Sequence, residues 1–207
     1  MASPMRKPRW RRRAEARPDE ILAAALAEFT ESGFEATRVE DVARRAGLSK
    51  AGVYLYFDSK DALLRALIEH EVEPVAERVA ALAEAGKNEP LEALRTIVGA
   101  FVALTADPAL FAVPRIILSV AGRFPEIGAF YRAHVVERGL GAIAMLHRSG
   151  VEKGVFRDVD SRLAARAIVG PLMLNALWRH VLGGAAEMAP EAAAEAHFDL
   201  VLKGLLR

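Results

Sequence analysis

The sequence predicts an all-α fold of about nine helices, and three observations support that prediction. Hydrophobic residues make up 53% of the 207 residues and include many alanines, which favour helices. Apolar residues recur with helical spacing, as Ile21, Leu22, Ala25 and Phe29 do on one face. No segment competes by showing the alternation of apolar and polar residues that indicates a strand. The elements are therefore assigned from caps, breakers and apolar stripes.

The first two predicted helices are short and amphipathic. Pro18 suits the first turn of a helix over residues 18–32, and Gly33 supplies its left-handed stop. Thr37 is then predicted to be the N-cap of a second helix, with Glu40 three residues later completing a capping box. The second helix is predicted to bury the side that its valines and alanines form.

A turn at Gly47 separates the second helix from a third. Ser49 is predicted to cap this third helix, which reaches Phe57. A long fourth helix follows, with a kink near Pro74, and it links the front of the chain to the remainder. Two short helices joined by a glycine turn form a helix-turn-helix, a motif whose second helix enters the major groove of DNA.

The third helix has an outward face suited to DNA. Val42, Leu48 and Val53 are predicted to form the small core between the two helices. The residues that then face outward are Ser49, Lys50, Ala51, Gly52 and Tyr54. Small side chains let a helix approach base edges closely, while a lysine donates to guanine or phosphate. The hydroxyls of Tyr54 and Tyr56, together with Lys60, suit phosphate oxygens.

Residues 18–68 resemble the amino-terminal DNA-binding domain of the TetR family of bacterial transcriptional regulators. The similarity rests on the contiguous stretch ILAAALAEFTESGFEATRVEDVARRAGLSKAGVYLYFDSKDALL, which follows the pattern of that family without a gap. The resemblance implies that Thr37 or Arg38, Tyr56 and Lys60 contact phosphates, while residues 49–54 face the bases. Ala51 and Gly52 stand where many relatives have Gly and then Thr, which removes a hydroxyl from this face.

A basic segment precedes the first helix. Residues 1–17 contain seven Lys or Arg side chains against Glu15 alone. Such blocks stay flexible and bind polyanions, and the arms of other helix-turn-helix proteins enter the minor groove. Arg11, Arg12 and Arg13 are therefore predicted to contact DNA. The alternative is that this flexible basic arm only keeps the protein soluble.

The remainder of the chain is predicted to be a second helical domain. Prolines, glycines and apolar stripes indicate helices that begin near residues 90, 108, 125, 161 and 190. The helix that begins at Ser161 is predicted to be interrupted at Gly170 and Pro171. The stretches RIILSVAGRFPEIGAFYRAHV and GVFRDVDSRLAARAIVG are more loosely similar to the regulatory domain of an AcrR-like TetR subgroup. The predicted domains are a basic arm, a helix-turn-helix domain and a ligand-binding and dimerisation domain, over residues 1–17, 18–65 and 66–207.

The resemblance implies that this second domain forms a homodimer. Its last two helices carry more apolar surface than one face requires. The interface residues predicted from that surface are Ala164, Ile168, Leu172, Val181, Phe198, Val201, Leu202 and Leu205. A symmetric dimer places two recognition helices about 34–36 Å apart on a palindromic site. The alternative is that both helices only cover the core of one chain.

The second domain is also predicted to hold a small-molecule site. Such sites are mostly apolar cavities with a few polar groups. The candidate wall residues are Phe101, Leu104, Phe111, Arg115, Ile117, Phe130, His134, Met145, Met173, Asn175 and Trp178. This composition favours an apolar or aromatic effector, with Asn175, His134 or Arg115 as the polar contact. Each residue on its own also fits an ordinary core position, because aromatic and methionine side chains fill cores routinely.

Several other classes of protein are disfavoured. No uncharged apolar run approaches the ~20 residues that span a bilayer, and the chain lacks cysteine. Glu69, His70, Glu71 and Glu73 cluster, but the paired Glu-x-x-His elements of a dimetal bundle are absent. The sequence contains no Gly-rich phosphate loop and no nucleophile elbow. It therefore predicts no metal, no cofactor and no enzymatic activity.

Taken with the resemblance, these features predict a cytoplasmic, homodimeric transcriptional regulator that binds double-stranded operator DNA. The expected mode is a repressor that a small apolar or aromatic ligand releases from a palindromic operator. Two alternatives stay open, namely an architectural protein that binds DNA without sequence preference and an all-helical enzyme. Comparable affinity for specific and random DNA would favour the architectural protein.

Overall fold

The computed structural model describes residues 17–185 and 188–206, and helices account for most of these ranges. The one β-type pairing in the described part is an isolated bridge between Phe156 and Leu206. The predicted all-α fold is confirmed. Arg11, Arg12 and Arg13, the predicted arm contacts, lie outside the described residues.

The chain divides into two compact units between Leu67 and Ile68. In the first unit the helices are α1 Arg17–Ser32, α2 Val39–Arg45, α3 Lys50–Tyr54 and α4 Lys60–Leu67. In the second they are α5 Glu73–Ala85, α6 Pro90–Ala106, α7 Ala112–Val120, α8 Pro125–Tyr131, α9 Glu137–Glu152, α10 Ser161–His180 and α11 Pro190–Leu205. Ile68–Val72 and Arg132–Val136 are π-helical turns, and Gly86–Asn88 is a 3-10 turn. With each π turn counted as part of the helices it joins, the described residues form nine helices.

The local signals in the first unit mostly act as predicted. Gly33 and Gly47 adopt positive φ of 82° and 66°, which stops α1 and α2 without the steric cost that a Cβ would add. Ser49 caps α3, since its hydroxyl accepts a hydrogen bond from the Gly52 N–H at 3.1 Å. However, α3 ends at Tyr54 and does not reach Phe57.

Thr37 is not the N-cap of α2, so that prediction is wrong. Arg38 takes the position, and its N–H donates to the Asp41 carboxylate at 3.1 Å, where Glu40 was expected to serve. Thr37 is buried against α1, and its hydroxyl donates to the carbonyls of Gly33 at 2.8 Å and Glu28 at 3.2 Å. The turn after Gly33 points Thr37 inward, so its hydroxyl satisfies carbonyls at the end of α1.

The first unit packs around the apolar faces of its four helices. Ile21 and Phe29 of α1, Val42 of α2, Val53 of α3 and Leu64 of α4 are all buried. Val53 therefore anchors the short α3 to the rest of the unit. Because this anchor is a single buried position, most of α3 is left facing solvent.

The second unit surrounds its own core with α5, α6, α9, α10 and α11. Gly150 of α9 lets the Phe156 ring pack closely, since a Cβ there would overlap that ring. The predicted interruption of α10 does not occur, because the helix continues through Gly170 and Pro171. Pro171 removes one backbone donor, but the buried residues Ile168 and Leu172 hold the helix on both sides of it.

Candidate nucleic-acid interface and ligand cavity

The short helix α3 presents most of its side chains to solvent. Lys50, Ala51 and Tyr54 are exposed, and Gly52 is half-buried. Each of these positions was predicted to face outward. With no Cβ at Gly52 and only a methyl group at Ala51, the backbone of α3 is open to close approach by another molecule.

Lys50 forms an ion pair across the turn between α2 and α3. Its Nζ lies 2.6 Å from a carboxylate oxygen of Glu40 and 5.7 Å from the centre of the Tyr54 ring. The hydrogen bond that Lys50 donates to Glu40 raises the pKa of Lys50, and the same contact lowers the pKa of Glu40. Both side chains are about half exposed, so the pair is weak and exchanges readily for another anion.

Aromatic and apolar side chains continue this surface beyond α3. Tyr54 and Tyr56 are 40% and 41% exposed, and Leu55 between them is 82% exposed. Sequence reasoning missed Leu55, because a leucine between two tyrosines gives no signal of its own. The three residues therefore add apolar surface and two tyrosine hydroxyls to the exposed surface that carries Lys50.

Lys60, which was predicted to contact phosphate, is engaged within the first unit in this structure. Its ammonium donates to three carbonyls of the loop after α1, those of Phe34 at 2.6 Å, Glu35 at 3.0 Å and Thr37 at 3.0 Å. It also lies 4.6 Å from the centre of the Phe34 ring. Burial lowers the pKa of Lys60. Lys60 and Thr37 therefore shape the loop that precedes α2 and do not offer free polar groups.

Three arginines lie at or within α2, and two of them form ion pairs. Arg38 is exposed at the N-cap, beside the carboxylates of Glu40 and Asp41. Arg44 pairs with Asp41, and Arg45 pairs with Glu28 at 2.8 Å and with Glu31. The contacts of Arg45 join α2 to α1.

The second unit contains a partly open cavity of about 380 Å³, within the range typical of small-molecule sites. Four predicted wall residues line it, namely Phe101, Leu104, Phe111 and Met173. The other lining residues are Val72, Val75, Ala76, Val79, Thr105, Pro114, Leu118, Tyr131, Val135, Val136, Gly139, Leu140, Ile143, Arg166, Val169 and Gly170. The wall is therefore mostly aliphatic.

Seven predicted wall residues are not among those that line this cavity: Arg115, Ile117, Phe130, His134, Met145, Asn175 and Trp178. Ile117 is buried in the core, and the Phe130 and His134 rings stack on each other at 4.0 Å. Met145, Asn175 and Trp178 are exposed. The prediction favoured large and polar residues, whereas the cavity exists where smaller valines and glycines leave space.

Polar groups in the cavity wall are few. Thr105 uses its hydroxyl within α6, where it donates to the Phe101 carbonyl at 2.9 Å. Burial raises the pKa of Tyr131 to about 12, so its phenol stays neutral at physiological pH. Arg166 is the single charged residue among the described lining residues. Thr105, Tyr131 and Arg166 are therefore polar residues of this cavity, whereas the predicted Asn175, His134 and Arg115 do not line it.

Most residues of the predicted dimer interface lie on the sides of α10 and α11 that are buried within one chain. Five of its residues are buried in the core of one chain, namely Ala164, Ile168, Leu172, Phe198 and Leu205, and Val201 and Leu202 pack against that core. Only Val181 of the set is strongly exposed. The exposed apolar residues of these helices are Leu163, Leu174, Trp178 and Leu200.

Metal sites and membrane spans are both absent from the described ranges. No group of three or more His, Cys, Asp or Glu side chains there is placed to bind a metal ion. No helix in the described residues has both the length and the apolar character needed to cross a membrane.

A helix-turn-helix with an open second helix, joined in one chain to a helical unit with an apolar cavity, defines a class of all-helical DNA-binding proteins. The family model for bacterial regulatory proteins of the tetR family matches residues 21–67. The model for the carboxy-terminal domain of AefR-like transcriptional repressors matches residues 92–202, more than half of the chain. The chain therefore belongs to the TetR family of transcriptional regulators.

Similar proteins agree with this assignment. PfmR, a TetR-family regulator from Thermus thermophilus, is 33% identical with a TM-score of 0.69, and the alignment covers 90% of this chain and 99% of PfmR. SmeT, solved as a complex with triclosan, shares the fold at 22% identity and a TM-score of 0.74, over 93% of this chain and 92% of SmeT. YerO of Bacillus subtilis (strain 168), an HTH-type regulator, is 28% identical over 160 residues, which are 75% of this chain and 54% of YerO. The chain spans between about a quarter and about half of the length of the curated relatives that it matches.

Proposed function

We propose that this regulator binds a palindromic operator as a homodimer in the cytoplasm and represses transcription until an effector enters the cavity of the second unit. The observation that carries the proposal is the open face of α3, where Lys50, Ala51 and Tyr54 surround a backbone held in place by the buried Val53. Residues up to Leu67 would form the DNA-binding domain and residues from Ile68 the sensing and dimerising domain. No catalytic step is part of this proposal.

Lys50 and Glu40 are central to how α3 would read DNA. In the free protein the Lys50 ammonium is held by the Glu40 carboxylate at 2.6 Å. On DNA, Lys50 would exchange that carboxylate for a guanine or a phosphate, and Ala51 and Gly52 would let α3 sit close to the base edges. Arg38, Tyr54 and Tyr56 would hold the unit in register through phosphates.

The proposed dimer interface uses the outer faces of the last two helices. An outer stripe on α10 consists of Leu163, Ala167, Leu174 and Trp178, all exposed and spaced for one helix face. A matching stripe on α11 consists of Ala192, Ala196 and Leu200. Exposed apolar stripes of this length are typical of surfaces that another protein covers, and two copies would bury both stripes in a four-helix interface.

The cavity would act as the sensor. Its aliphatic wall and its enclosure by α5, α6, α9 and α10 suit a small apolar molecule, and SmeT, which shares the fold, binds triclosan. An effector releases operator only if it binds the state that cannot engage DNA more tightly. A preference of about 10⁴-fold is needed to move that equilibrium from 1:99 to 99:1.

The proposal is tested by DNA binding at fixed salt near 150 mM. The purified protein is titrated with DNA from upstream of its own coding sequence and with random DNA of equal length. We expect tight binding to one palindromic site, and we expect Lys50→Ala to weaken it by about 1–3 kcal/mol. Lys87→Ala is the control, since Lys87 forms an exposed ion pair with Glu84 in the second unit. Weak binding that is equal on all fragments would instead indicate an architectural DNA-binding protein.

A further inference from the structure

The cavity lies along α10, and the contacts at the two ends of this helix show which cavity residues are near each end. At the start of this helix, the Ser161 hydroxyl lies 3.0 Å from Nδ1 of His147, near the end of α9. At the other end, Nε2 of His180 lies 2.8 Å from the Thr105 carbonyl, and its ring stacks on Phe111 at 5.1 Å. Thr105 and Phe111 line the cavity. One end of the cavity is therefore beside the first half of α10 and the other beside Phe111.

Arg166 lies at the first of these ends. The α10 residues that line the cavity are Arg166, Val169, Gly170 and Met173, which share one helix face. From Arg166 to Met173 this wall extends roughly 10 Å along the helix axis. Arg166 thus lies at the end of the wall far from Phe111, and the residue is exposed to solvent.

Arg166 has no carboxylate partner among the described residues. Arg138 on the neighbouring α9 differs, because it donates to Glu73 at 2.7 Å and lies 3.4 Å from Glu77. The aliphatic walls between Arg166 and Phe111 include Ile143, Val79 and Val169. The one charged residue of the described lining therefore stands at one end of a cavity whose surface is otherwise almost entirely apolar.

From this arrangement we propose that the effector is an amphipathic organic anion, whose carboxylate pairs with Arg166 while its apolar body extends along α10 toward Phe111. The inference rests on the proposed role of the cavity as the effector site. A volume of about 380 Å³, at about 30 Å³ for each group the size of a water molecule, holds a body of about a dozen non-hydrogen atoms. Arginine and carboxylate form two parallel hydrogen bonds, which favours a carboxylate over a neutral head group.

The test uses the full chain and three probes of one length. Decanoate, decan-1-ol and decylammonium are each titrated into the protein at pH 7 by calorimetry, in the absence of DNA. We expect decanoate to bind about tenfold more tightly than decan-1-ol, and decylammonium to bind more weakly than both. We expect Arg166→Gln to remove the advantage of decanoate over decan-1-ol. Arg162→Gln, one turn earlier on α10, exposed and outside the cavity, should leave the advantage intact.

Three results would overturn the inference. The first is equal affinity for decanoate and decan-1-ol, the second is an equal effect of Arg166→Gln and Arg162→Gln, and the third is no binding of any probe. Because the readout involves no DNA, these results do not depend on whether operator binding is found. A protein that binds operator but no anion keeps the proposed function and loses this inference. A protein that binds decanoate through Arg166 but binds no operator keeps the anion site and loses the proposed operator binding.

Discussion

Lys60 is a single side chain on which the geometry before α2 depends. Its ammonium donates hydrogen bonds to three carbonyls of the loop between α1 and α2. Thr37 in the same loop donates its hydroxyl to the Gly33 carbonyl at the end of α1. Carbonyls left without donors in a partly buried loop cost free energy. Lys60 therefore stabilises the entry to α2, which sets where Arg38 and α3 lie.

We predict that Lys60→Met lowers the free energy of unfolding by about 1–3 kcal/mol, because three carbonyls lose a charged donor. Chemical denaturation followed by circular dichroism measures this change. The control is Lys87→Met, which breaks an exposed ion pair with Glu84 and should cost less than about 1 kcal/mol. If Lys60→Met left stability unchanged and weakened DNA binding as much as Lys50→Ala, Lys60 would be a phosphate contact after all.

His147 is a buried titratable group in the second unit. Its ring is almost fully buried, lies parallel to Phe156 at 5.6 Å, and its Nδ1 lies 3.0 Å from the Ser161 hydroxyl. Nε2 is buried without a hydrogen-bond partner in the described residues. Burial lowers the pKa of His147 below its ordinary 6.5, although the nearby Asp158 opposes that shift.

The lowered pKa predicts that acid destabilises the second unit. The unfolded chain binds a proton at His147 more readily than the folded one, so this contribution to stability is present above about pH 6.5 and is lost as the pH falls through the lower folded pKa. We expect the stability of His147→Gln to fall less between pH 7 and pH 5 than that of the wild type. Parallel curves for His147→Gln and the wild type would contradict the prediction.

At the scale of elements, α10 combines the cavity wall and the stripe proposed for dimerisation on adjoining faces. One face lines the cavity through Arg166, Val169, Gly170 and Met173. The outer stripe that we propose for dimerisation begins within three residues of this face, at Leu163. Because a helix moves as a rigid element, a ligand that displaces α10 in the cavity also shifts the stripe. This proximity offers a direct route from effector to dimer geometry.

We predict that Leu174→Glu converts the dimer to a monomer without loss of helix content. Leu174 is 62% exposed in one chain, so the carboxylate is solvated in the monomer and is desolvated only in the interface. Sedimentation velocity with circular dichroism measures both properties. Leu110→Glu is the control, since Leu110 is 50% exposed outside both stripes.

A substitution on the buried side of α10 should lower stability without dissociating the dimer. Leu172→Ala removes a side chain that is 4% exposed within the core, and we expect it to lower the free energy of unfolding by about 2–5 kcal/mol. The variant should remain a dimer wherever it is folded. Dissociation caused by Leu172→Ala, with no change after Leu174→Glu, would restore the interface that sequence reasoning chose.

For the whole molecule, the distribution of charge matters more than its sum. The formal net charge is only +1, yet seven of the 28 Lys and Arg residues lie in residues 1–17. DNA binding depends on the local density of positive charge, because each neutralised phosphate releases counterions. A nearly neutral chain is therefore compatible with strong binding to a polyanion at one end.

We predict that deleting residues 1–16 weakens operator binding and makes its dependence on salt shallower, by about 0.9 in the log–log slope for each phosphate that the protein no longer neutralises. Arg17 stays in place so that α1 is kept whole. Fluorescence anisotropy with operator DNA at several salt concentrations gives both values. The full-length variant with Arg11, Arg12 and Arg13 changed to Gln separates charge from length. Unchanged affinity in both variants would mean that the segment only aids solubility.

The sequence by itself determined the helices, the helix-turn-helix and the turns at Gly33 and Gly47. These features depend on residues close together in the chain, where caps, glycine conformations and apolar spacing act directly. The Ser49 cap and the outward face of α3 belong to the same group, because the single buried residue Val53 settles which way the short helix turns.

Only the tertiary structure decided which apolar face of α10 and α11 is buried, which residues line the cavity, and what Lys60 binds. Helical spacing tells which residues share a face, but α10 is apolar on both sides, so Ile168 and Leu174 give the same local signal. The cavity arises where valines and glycines of several helices fail to fill space, and the partners of Lys60 lie more than 20 residues away. Long-range packing sets these features, and local patterns carry no information about it.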